Sequence, residues 1–180
     1  MPFSEEPHWF PMRVTYHREL KIKNSLDSLE VENFLPMRYE MVETPKGPKR
    51  KLVPAIHNLI FIHSSQIHIT ELKMGKKELE PLRYMTKTNM DGVREIIHVP
   101  DSQMESFIKV ASVHDNSIFY LDSSEFINKI GKKVRIISGQ FKGVEGVIKR
   151  IKKNKSVVVQ IEGVAAVAIA FVPANYLMLI

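Results

Sequence analysis

The sequence predicts an α+β protein in which a small sheet with helices is followed by a small β-barrel. Two patterns carry this prediction. Strand-like and helical segments alternate in the order β-α-β-β-α-β-β-α up to residue 111, which is typical of a sheet covered by helices. Between residues 127 and 180, four short β-rich segments then follow one another with turns between them, as in a small barrel.

The charge distribution indicates where one part ends and the next begins. Residues 127–180 hold ten Lys or Arg and two acids, a net charge of +8. The remaining residues hold 16 bases and 18 acids, a net charge of −2, so that the whole chain carries +6. We therefore predict one domain at residues 7–111, a linker at residues 112–126 and a second domain at residues 127–180.

The first domain is predicted to begin with a strand at residues 9–14 and a helix at residues 17–32. In that helix Ile22, Leu26 and Leu29 share one face and are expected in the core. Further predicted elements, in order, are a strand at 33–43, a basic turn at 45–51, a buried strand at 52–64, a short helix within 66–78 that runs into a loop at Gly75, strands at 82–87 and 95–100, and a helix from Asp101. In the last helix, Met104, Phe107, Ile108 and Ala111 are expected to face inward.

The stretch SGQFKGVEGVIKR (138–150) admits two interpretations, because its three glycines lie beside several bases. A phosphate-binding loop would need a Lys-Ser or Lys-Thr pair and a following helix, and the sequence has neither. A tightly curved barrel uses glycine at bends and positive φ angles. We therefore predict strands in KKVRIIS, VEGVIKRI, KSVVVQI and AVAIAFVP, with turns at SGQFKG, KKNK and EGVAA, and a fifth strand if YLMLI also pairs.

Several classes of function find no support in the sequence. The chain has no cysteine, and its seven histidines show no metal-ligand spacing. It lacks a Gly-x-Ser-x-Gly motif and paired carboxylates in an apolar run, so we predict neither catalytic residues, nor a metal site, nor a cofactor. No secretory signal or long apolar run is present, and a cytoplasmic protein without a membrane segment is expected.

Two parts of the sequence resemble known modules. GKKVRIISGQFKGVEGVIKRI (131–151) resembles the KOW motif, with Gln140 where proline is usual. HWFPMRVTYHRELKIKNSL (8–26) and FLPMRYE (34–40) resemble the NusG N-terminal domain. The resemblance implies a NusG-type α/β sandwich followed by an SH3-like KOW barrel, in a transcription elongation factor of the NusG superfamily.

Other segments resemble one branch of that superfamily. VPAIHNLIFIHS (53–64) lacks the Gly-Tyr pair of ordinary NusG, and PLRYM (81–85) and VPDSQMESF (99–107) resemble the UpxY paralogues. UpxY proteins are antiterminators of surface-polysaccharide operons, including capsular ones. The alternatives are a general NusG and a KOW-type ribosome-binding or RNA-binding protein.

The resemblance implies three binding surfaces. An apolar depression would take the clamp helices of RNA polymerase, and its residues would be Pro54, Leu59, Phe61, Tyr84, Ile97 and Val99. Leu59 and Phe61 alternate on one strand face, so they are equally explained as core residues. The partner of the KOW domain, a ribosomal protein, a termination factor or nascent RNA, would meet Phe141, Lys142 and Arg150. Phe141 has an alternative role as a plug of one barrel end.

The third implied surface binds the non-template DNA strand in the transcription bubble. Its residues would be Tyr16, His17, Arg18, Lys21, Ser25, Ser28 and Arg38. Bases attract phosphates, and an exposed aromatic ring can stack on an unpaired base. A solvated polar helix face is the simpler explanation of the same residues.

Overall fold

The computed structural model describes residues 5–121, 131–151 and 154–180. Within these residues the chain forms three α-helices and fourteen β-strands, which confirms the α+β class. Its contacts divide it into two compact units. The first unit consists of Met1–Pro36 and Ile56–Asp101, and the second consists of Met37–Ala55 and Ser102–Ile180.

The elements up to residue 111 include all three helices. In chain order they are β1 (His8–Arg13), α1 (Glu19–Ser28), β2 (Asn33–Phe34), β3 (Met37–Val42), β4 (Lys49–Pro54), β5 (Leu59–Ser64), α2 (Gln66–Gly75), β6 (Arg83–Tyr84), β7 (Thr86–Thr88), β8 (Arg94–Ile96) and α3 (Asp101–Ala111).

The remaining elements are strands and one 3-10 turn. They are β9 (Ile118–Tyr120), β10 (Lys132–Ile136), β11 (Glu145–Ile151), β12 (Asn154–Ile161), β13 (Ala165–Ala170), the turn Ala174–Tyr176 and β14 (Leu177–Leu179).

The sheet of the first unit has the strand order β2-β5-β1-β6 and is antiparallel throughout. β1 pairs with β5 from His8↔Ser64 to Arg13↔Leu59. This register places the residues that follow β1 beside those that precede β5. The backbone N–H of Val14 donates to the carbonyl oxygen of Asn58 at 3.0 Å, which extends the pairing by one bond.

Helix α1 is shorter than the helix predicted at residues 17–32. Tyr16 and His17 have φ angles of 61° and 51°, outside the helical range, and the helix begins at Glu19. Glu30, at φ 55°, adopts the left-handed conformation that commonly ends a helix. Ile22 and Leu26 are buried as predicted, whereas Leu29 is only half-buried because it lies past the helix end.

Two predicted strands are each divided in the structure. The strand predicted at 33–43 is interrupted after Phe34, and its halves β2 and β3 belong to different sheets. The buried strand predicted at 52–64 is the end of β4, a turn and β5. Asn58 at φ 60° makes that turn, and only the β5 part is deeply buried. The turn predicted at 45–51 is shorter, since β4 begins at Lys49.

The later elements of this part follow the prediction closely, with small shifts. The Oγ of Ser65 accepts the N–H of His68 and caps α2, which ends at Gly75. The strand predicted at 82–87 is the pair of short strands β6 and β7, and that at 95–100 is β8, after which Val99 makes an isolated bridge to Trp9. On α3, Met104, Phe107 and Ala111 are buried as predicted, Ile108 is half-buried, and Val110 is buried instead.

The second unit contains a six-stranded antiparallel sheet with the order β14-β10-β11-β12-β13-β9. The four predicted barrel strands are present, and the fifth, β14, pairs with β10. β9 lies inside the predicted linker 112–126 and pairs with β13, because the apolar run Ile118–Tyr120 joins the sheet edge. Residues 122–130, which include the rest of that linker, and Lys152 and Lys153 of the KKNK turn lie outside the described residues.

The hairpin β3–β4 and helix α3 from Ser102 onward also belong to the second unit. Within the described residues, three hydrogen bonds join α3 to β12, to β11 and to the turn between β10 and β11. The Nε2 of Gln103 donates to the Gln160 carbonyl at 2.7 Å, the Nζ of Lys109 to the Lys142 carbonyl at 2.6 Å, and the Glu145 N–H to the Oγ of Ser106 at 3.3 Å.

The three glycines of SGQFKGVEG serve two different needs. Gly139 and Gly143 have φ angles of 79° and 92°, the left-handed region that side chains disfavour. Gly146 has no such angle, but a Cβ there would lie 2.7 Å from the carbonyl oxygen of Val158 on the neighbouring strand. The first two glycines make the turn, and the third allows β11 and β12 to approach closely.

Candidate functional site

The surface at the start of α1 presents the residues implied for nucleic-acid binding. Tyr16 is 80% exposed, and His17, Arg18 and Lys21 are exposed as well. The Arg18 guanidinium lies 5.3 Å from the centre of the Tyr16 ring. An exposed aromatic ring with bases beside it offers both stacking and phosphate attraction to a single strand.

The two serines of the predicted face are less available. The hydroxyl of Ser25 donates to the carbonyl of Lys21 at 3.1 Å, and that of Ser28 donates to the carbonyl of Asn24 at 2.9 Å. Both hydroxyls therefore bond to their own helix. The exposed side chains on this face that could contact a nucleic acid are therefore those of Tyr16, Arg18 and Lys21.

Arg38 belongs to the second unit and lies on β3. Its guanidinium is 3.5 Å from the carboxylate of Glu40, and both side chains are exposed. Such exposed pairs are weak, so Arg38 can exchange this partner for another anion. The same hairpin exposes Lys49, Arg50 and Lys51, and the Arg50 guanidinium lies 4.2 Å over the Tyr39 ring.

The start of α1 and the turn before β5 bring together polar groups that sequence analysis did not connect. Glu19 is only 2% exposed, and its Oε1 accepts the backbone N–H of Asn58 at 2.5 Å. The rings of His17 and His57 meet edge to face with their centres 5.3 Å apart. His17 and His57 are forty positions apart along the chain, so sequence spacing gave no signal for this contact.

The residues implied for polymerase binding fall into two groups by burial. Leu59, Phe61 and Val99 are buried, so their side chains are closed to a partner in this structure and act as core residues. Tyr84 and Ile97 of the first unit and Pro54 of the second unit are half-buried. Of the six implied residues, only these three have solvent-exposed surface that a partner could contact.

Tyr84 lies in a mixed apolar and basic setting. Its ring packs edge to face on Phe10 at 5.5 Å, and the Nζ of Lys73 lies 5.4 Å from its ring centre. Its hydroxyl donates to the carbonyl of Gln66 at 3.3 Å. Burial raises the pKa of Tyr84. Burial lowers the pKa of Lys73, and the positive charge of Arg83 lowers the pKa of Lys73 further.

On the barrel, Phe141 is only 7% exposed, as expected for the plug of one barrel end rather than for a protruding contact. Lys142 and Arg150 are exposed. Among the described residues of the barrel, the exposed aromatic residue is Phe171, at 75% exposure and a φ angle of 60°. The sequence analysis missed it because AVAIAFVP was taken as one strand, whereas β13 ends at Ala170.

The comparison with protein families decides the identity of the chain. Residues 7–108 match the family model described as transcription termination factor NusG. The chain belongs to the NusG family. Residues 130–162 match the KOW motif, so the NusG-type segment and the KOW segment occur in the predicted order. The NusG and KOW families are non-catalytic.

One solved structure resembles the NusG-family chain over most of its length. It shows a domain interaction in Thermotoga maritima NusG and is 15% identical to this chain, with a TM-score of 0.46 and coverage of 96% of each chain. No curated protein sequence matches the chain. Within the described residues, no helix has the length and apolar character needed to cross a membrane.

Proposed function

We propose that this NusG-family protein binds RNA polymerase in the cytoplasm and suppresses pausing or termination. The observation that carries the proposal is the match of residues 7–108 to NusG followed by the KOW match at 130–162. Proteins of the NusG family interact with RNA polymerase. The absence of a catalytic motif in the sequence agrees with a role in binding.

We further propose a specialised antiterminator of a surface-polysaccharide operon, capsular ones included, as in the UpxY branch. Support comes from the departures from ordinary NusG, namely the missing Gly-Tyr pair in VPAIHNLIFIHS and Gln140 in the KOW turn. A general NusG that acts on every operon is the alternative. The two differ in whether the effect depends on the template.

Contact with the clamp helices would use the half-buried residues Tyr84 and Ile97 of the first unit. Pro54 of the second unit is proposed separately as a polymerase contact. Leu59, Phe61 and Val99 would support this surface from the core. An apolar surface that receives a helix is a common mode of recognition. A factor held on the clamp would disfavour the open-clamp states that accompany pausing.

The non-template DNA strand would lie along the start of α1. Tyr16 would stack on an unpaired base, while Arg18 and Lys21 would attract phosphates. His17, Ser25 and Ser28 share this region. Arg38, on β3 of the second unit, is proposed separately as a nucleic-acid contact.

The KOW domain would bind a ribosomal protein, a termination factor or nascent RNA. Its charge of +8 over residues 127–180 and the exposed bases Lys142 and Arg150 favour RNA or an acidic protein surface. The same charge favours the second candidate function, a ribosome-binding or RNA-binding protein that never meets polymerase.

Sedimentation separates these two functions. The purified protein is mixed in turn with the cognate polymerase and with ribosomal subunits, and each mixture is centrifuged at low and at moderate salt. We expect co-migration with polymerase. Migration with ribosomal subunits that persists at moderate salt, without co-migration with polymerase, would favour the second function.

A further inference from the structure

A cluster of three potential metal ligands lies where the end of β1 meets the start of β5. His17, Glu19 and His57 each offer one ligand atom, and these atoms all lie within 4.8 Å of one another. The β1–β5 register ends at Arg13↔Leu59, so the residues after Arg13 meet those before Leu59. The fold thus assembles the cluster from residues far apart in the sequence.

The burial of Glu19 is the first argument for a ligand at this position. Glu19 is 2% exposed, and its Oε1 accepts the N–H of Asn58. Among the residues that the structure describes, no Lys or Arg pairs with Glu19. Buried charges in proteins are paired with an opposite charge or bind a metal, and here the two neighbouring groups are imidazoles.

The backbone of the same turns supplies the second argument. Tyr16, His17 and Asn58 all have positive φ angles, 61°, 51° and 60°. A non-glycine residue in this conformation is uncommon, and such strain concentrates at functional sites and ligand clamps. The Oδ1 atom of Asn58 is also buried without a hydrogen-bond partner in the described part of the chain, so a polar group next to the cluster remains unsatisfied.

We propose that His17, Glu19 and His57 bind a divalent transition metal, with Zn²⁺ as the preferred ion. Two imidazoles and one carboxylate form a donor set that suits Zn²⁺, and water would take the fourth position. Tetrahedral ligands on zinc lie about 3.4 Å apart, as follows from bond lengths of about 2.0–2.1 Å. The ligand atoms lie within 4.8 Å of one another and both histidines are exposed, so binding would require the two rings to turn toward Glu19.

The bound ion would tie the turn before α1 to the turn before β5. Glu19 is the first residue of α1, and His57 precedes β5 by two residues. Because Tyr16 and Arg18 flank His17, the metal would also hold their backbone in place. This inference does not depend on any contact with polymerase or DNA, and its test uses neither.

The test is calorimetric titration of the untagged full chain, freed of metal with a chelator, with zinc chloride. We expect one Zn²⁺ per chain. Replacement of an outer-shell residue typically lowers metal affinity about 10–100-fold, so loss of a ligand in His17→Gln or His57→Gln should lower it by at least about 100-fold. His68→Gln, which alters another exposed histidine in the same unit, should bind as the wild type does.

Cobalt provides a readout of the ligands themselves. Co²⁺ in the same site should show the strong visible absorption of four-coordinate Co²⁺, and this absorption should disappear in both histidine variants. Each variant's far-ultraviolet circular dichroism should match that of the wild type, because both histidines are exposed. The proposal is wrong if the chain binds no stoichiometric Zn²⁺, or if both histidine variants bind it as tightly as the wild type.

Discussion

The Glu19 carboxylate accepts the backbone N–H of Asn58 at 2.5 Å, and this bond joins the first residue of α1 to the turn before β5. Val14 makes a second bond to the same turn, from its N–H to the Asn58 carbonyl at 3.0 Å. Asn58 is thus held through both of its backbone polar groups. The turn carries the positive φ angle that separates β4 from β5.

The first prediction concerns the side chain of Glu19. Glu19→Ala removes the acceptor of the Asn58 N–H, and an unsatisfied buried donor costs about 1–3 kcal/mol. Glu19→Gln keeps an oxygen in the same place, so it should lose less than half as much. Urea unfolding at pH 7 with a chelator present measures the free energy of unfolding of both variants. Equal stability of the two variants would contradict a role of this bond in holding the turn.

The second prediction concerns the close approach of β11 and β12. Gly146→Ala places a Cβ 2.7 Å from the Val158 carbonyl oxygen and 2.9 Å from Cγ1 of Val157, so the strands must separate. Overpacking of this kind costs about 1–3 kcal/mol. The control is Gly75→Ala at the end of α2, where a Cβ meets open space. Thermal unfolding should show a lower melting temperature for Gly146→Ala alone, and a wild-type value would refute the close approach.

The third prediction concerns Asp27. Hydrogen bonds from Lys23 and Asn33 lower the pKa of Asp27 below its usual value of 3.8. A lowered pKa means that the carboxylate stabilises the fold above the unfolded pKa, and that this contribution is lost as the pH falls through the folded pKa. Because the side chain is 49% exposed, the contribution is at most about 1 kcal/mol.

The third prediction is tested by comparing the free energies of unfolding of the wild type and Asp27→Asn in urea between pH 7 and pH 2. The wild type should be the more stable protein at pH 7, and the difference should shrink toward zero in the most acidic buffers. A difference that stays constant across this range would show that the charge of Asp27 is not the cause.

The fourth prediction concerns two phenylalanines of the barrel, Phe141 and Phe171. Phe141 is buried and Phe171 is exposed. Phe141→Ala should therefore destabilise the barrel by on the order of 3 kcal/mol, whereas Phe171→Ala should change the free energy of unfolding by less than about 0.5 kcal/mol. Denaturant unfolding of the full chain measures both. A large loss of stability in Phe171→Ala together with a small loss in Phe141→Ala would contradict the assignment of Phe141 as buried and Phe171 as exposed.

The fifth prediction concerns the basic face of α1. Lys21→Glu reverses a charge that is exposed and outside the core, so it should weaken binding to a transcription complex with an open bubble without unfolding the protein. Loss of one phosphate contact should also reduce the salt slope of binding by about 1. Lys77→Glu, an exposed charge reversal beyond α2, is the matched control. Binding that is equal in the two variants would remove the α1 face from the proposed interface.

The order of strands and helices follows from the sequence wherever a single pattern dominates, as in β1, α2, α3 and the barrel strands. The prediction failed where a residue in an unusual backbone conformation interrupts an apolar run. LVPAIHNLIFIHS reads as one buried strand, but Asn58 turns the chain. β9 was missed because three apolar residues between polar clusters resemble a linker until their partner strand, β13, is known.

The candidate sites were predicted less completely than the fold. Exposure of Arg18 and Lys21 follows from the pattern of the helix predicted at residues 17–32, because apolar spacing assigns the opposite face to the core. Tyr16 precedes that helix, so the pattern does not predict its exposure. The meeting of His17 with His57 depends on the β1–β5 register, which no local pattern specifies. The sequence does not decide whether Phe61 is buried. Alternation along a strand shows which residues share a face, but it does not show what covers that face.

Single-round transcription by the cognate polymerase tests the central claim most directly. The templates are the leader of the protein's own operon and an unrelated leader, each transcribed with and without the protein. The account predicts read-through of pause or termination sites on its own leader and a much smaller effect on the unrelated one. Unchanged transcription on both templates, under conditions in which the polymerase itself pauses normally, would contradict it.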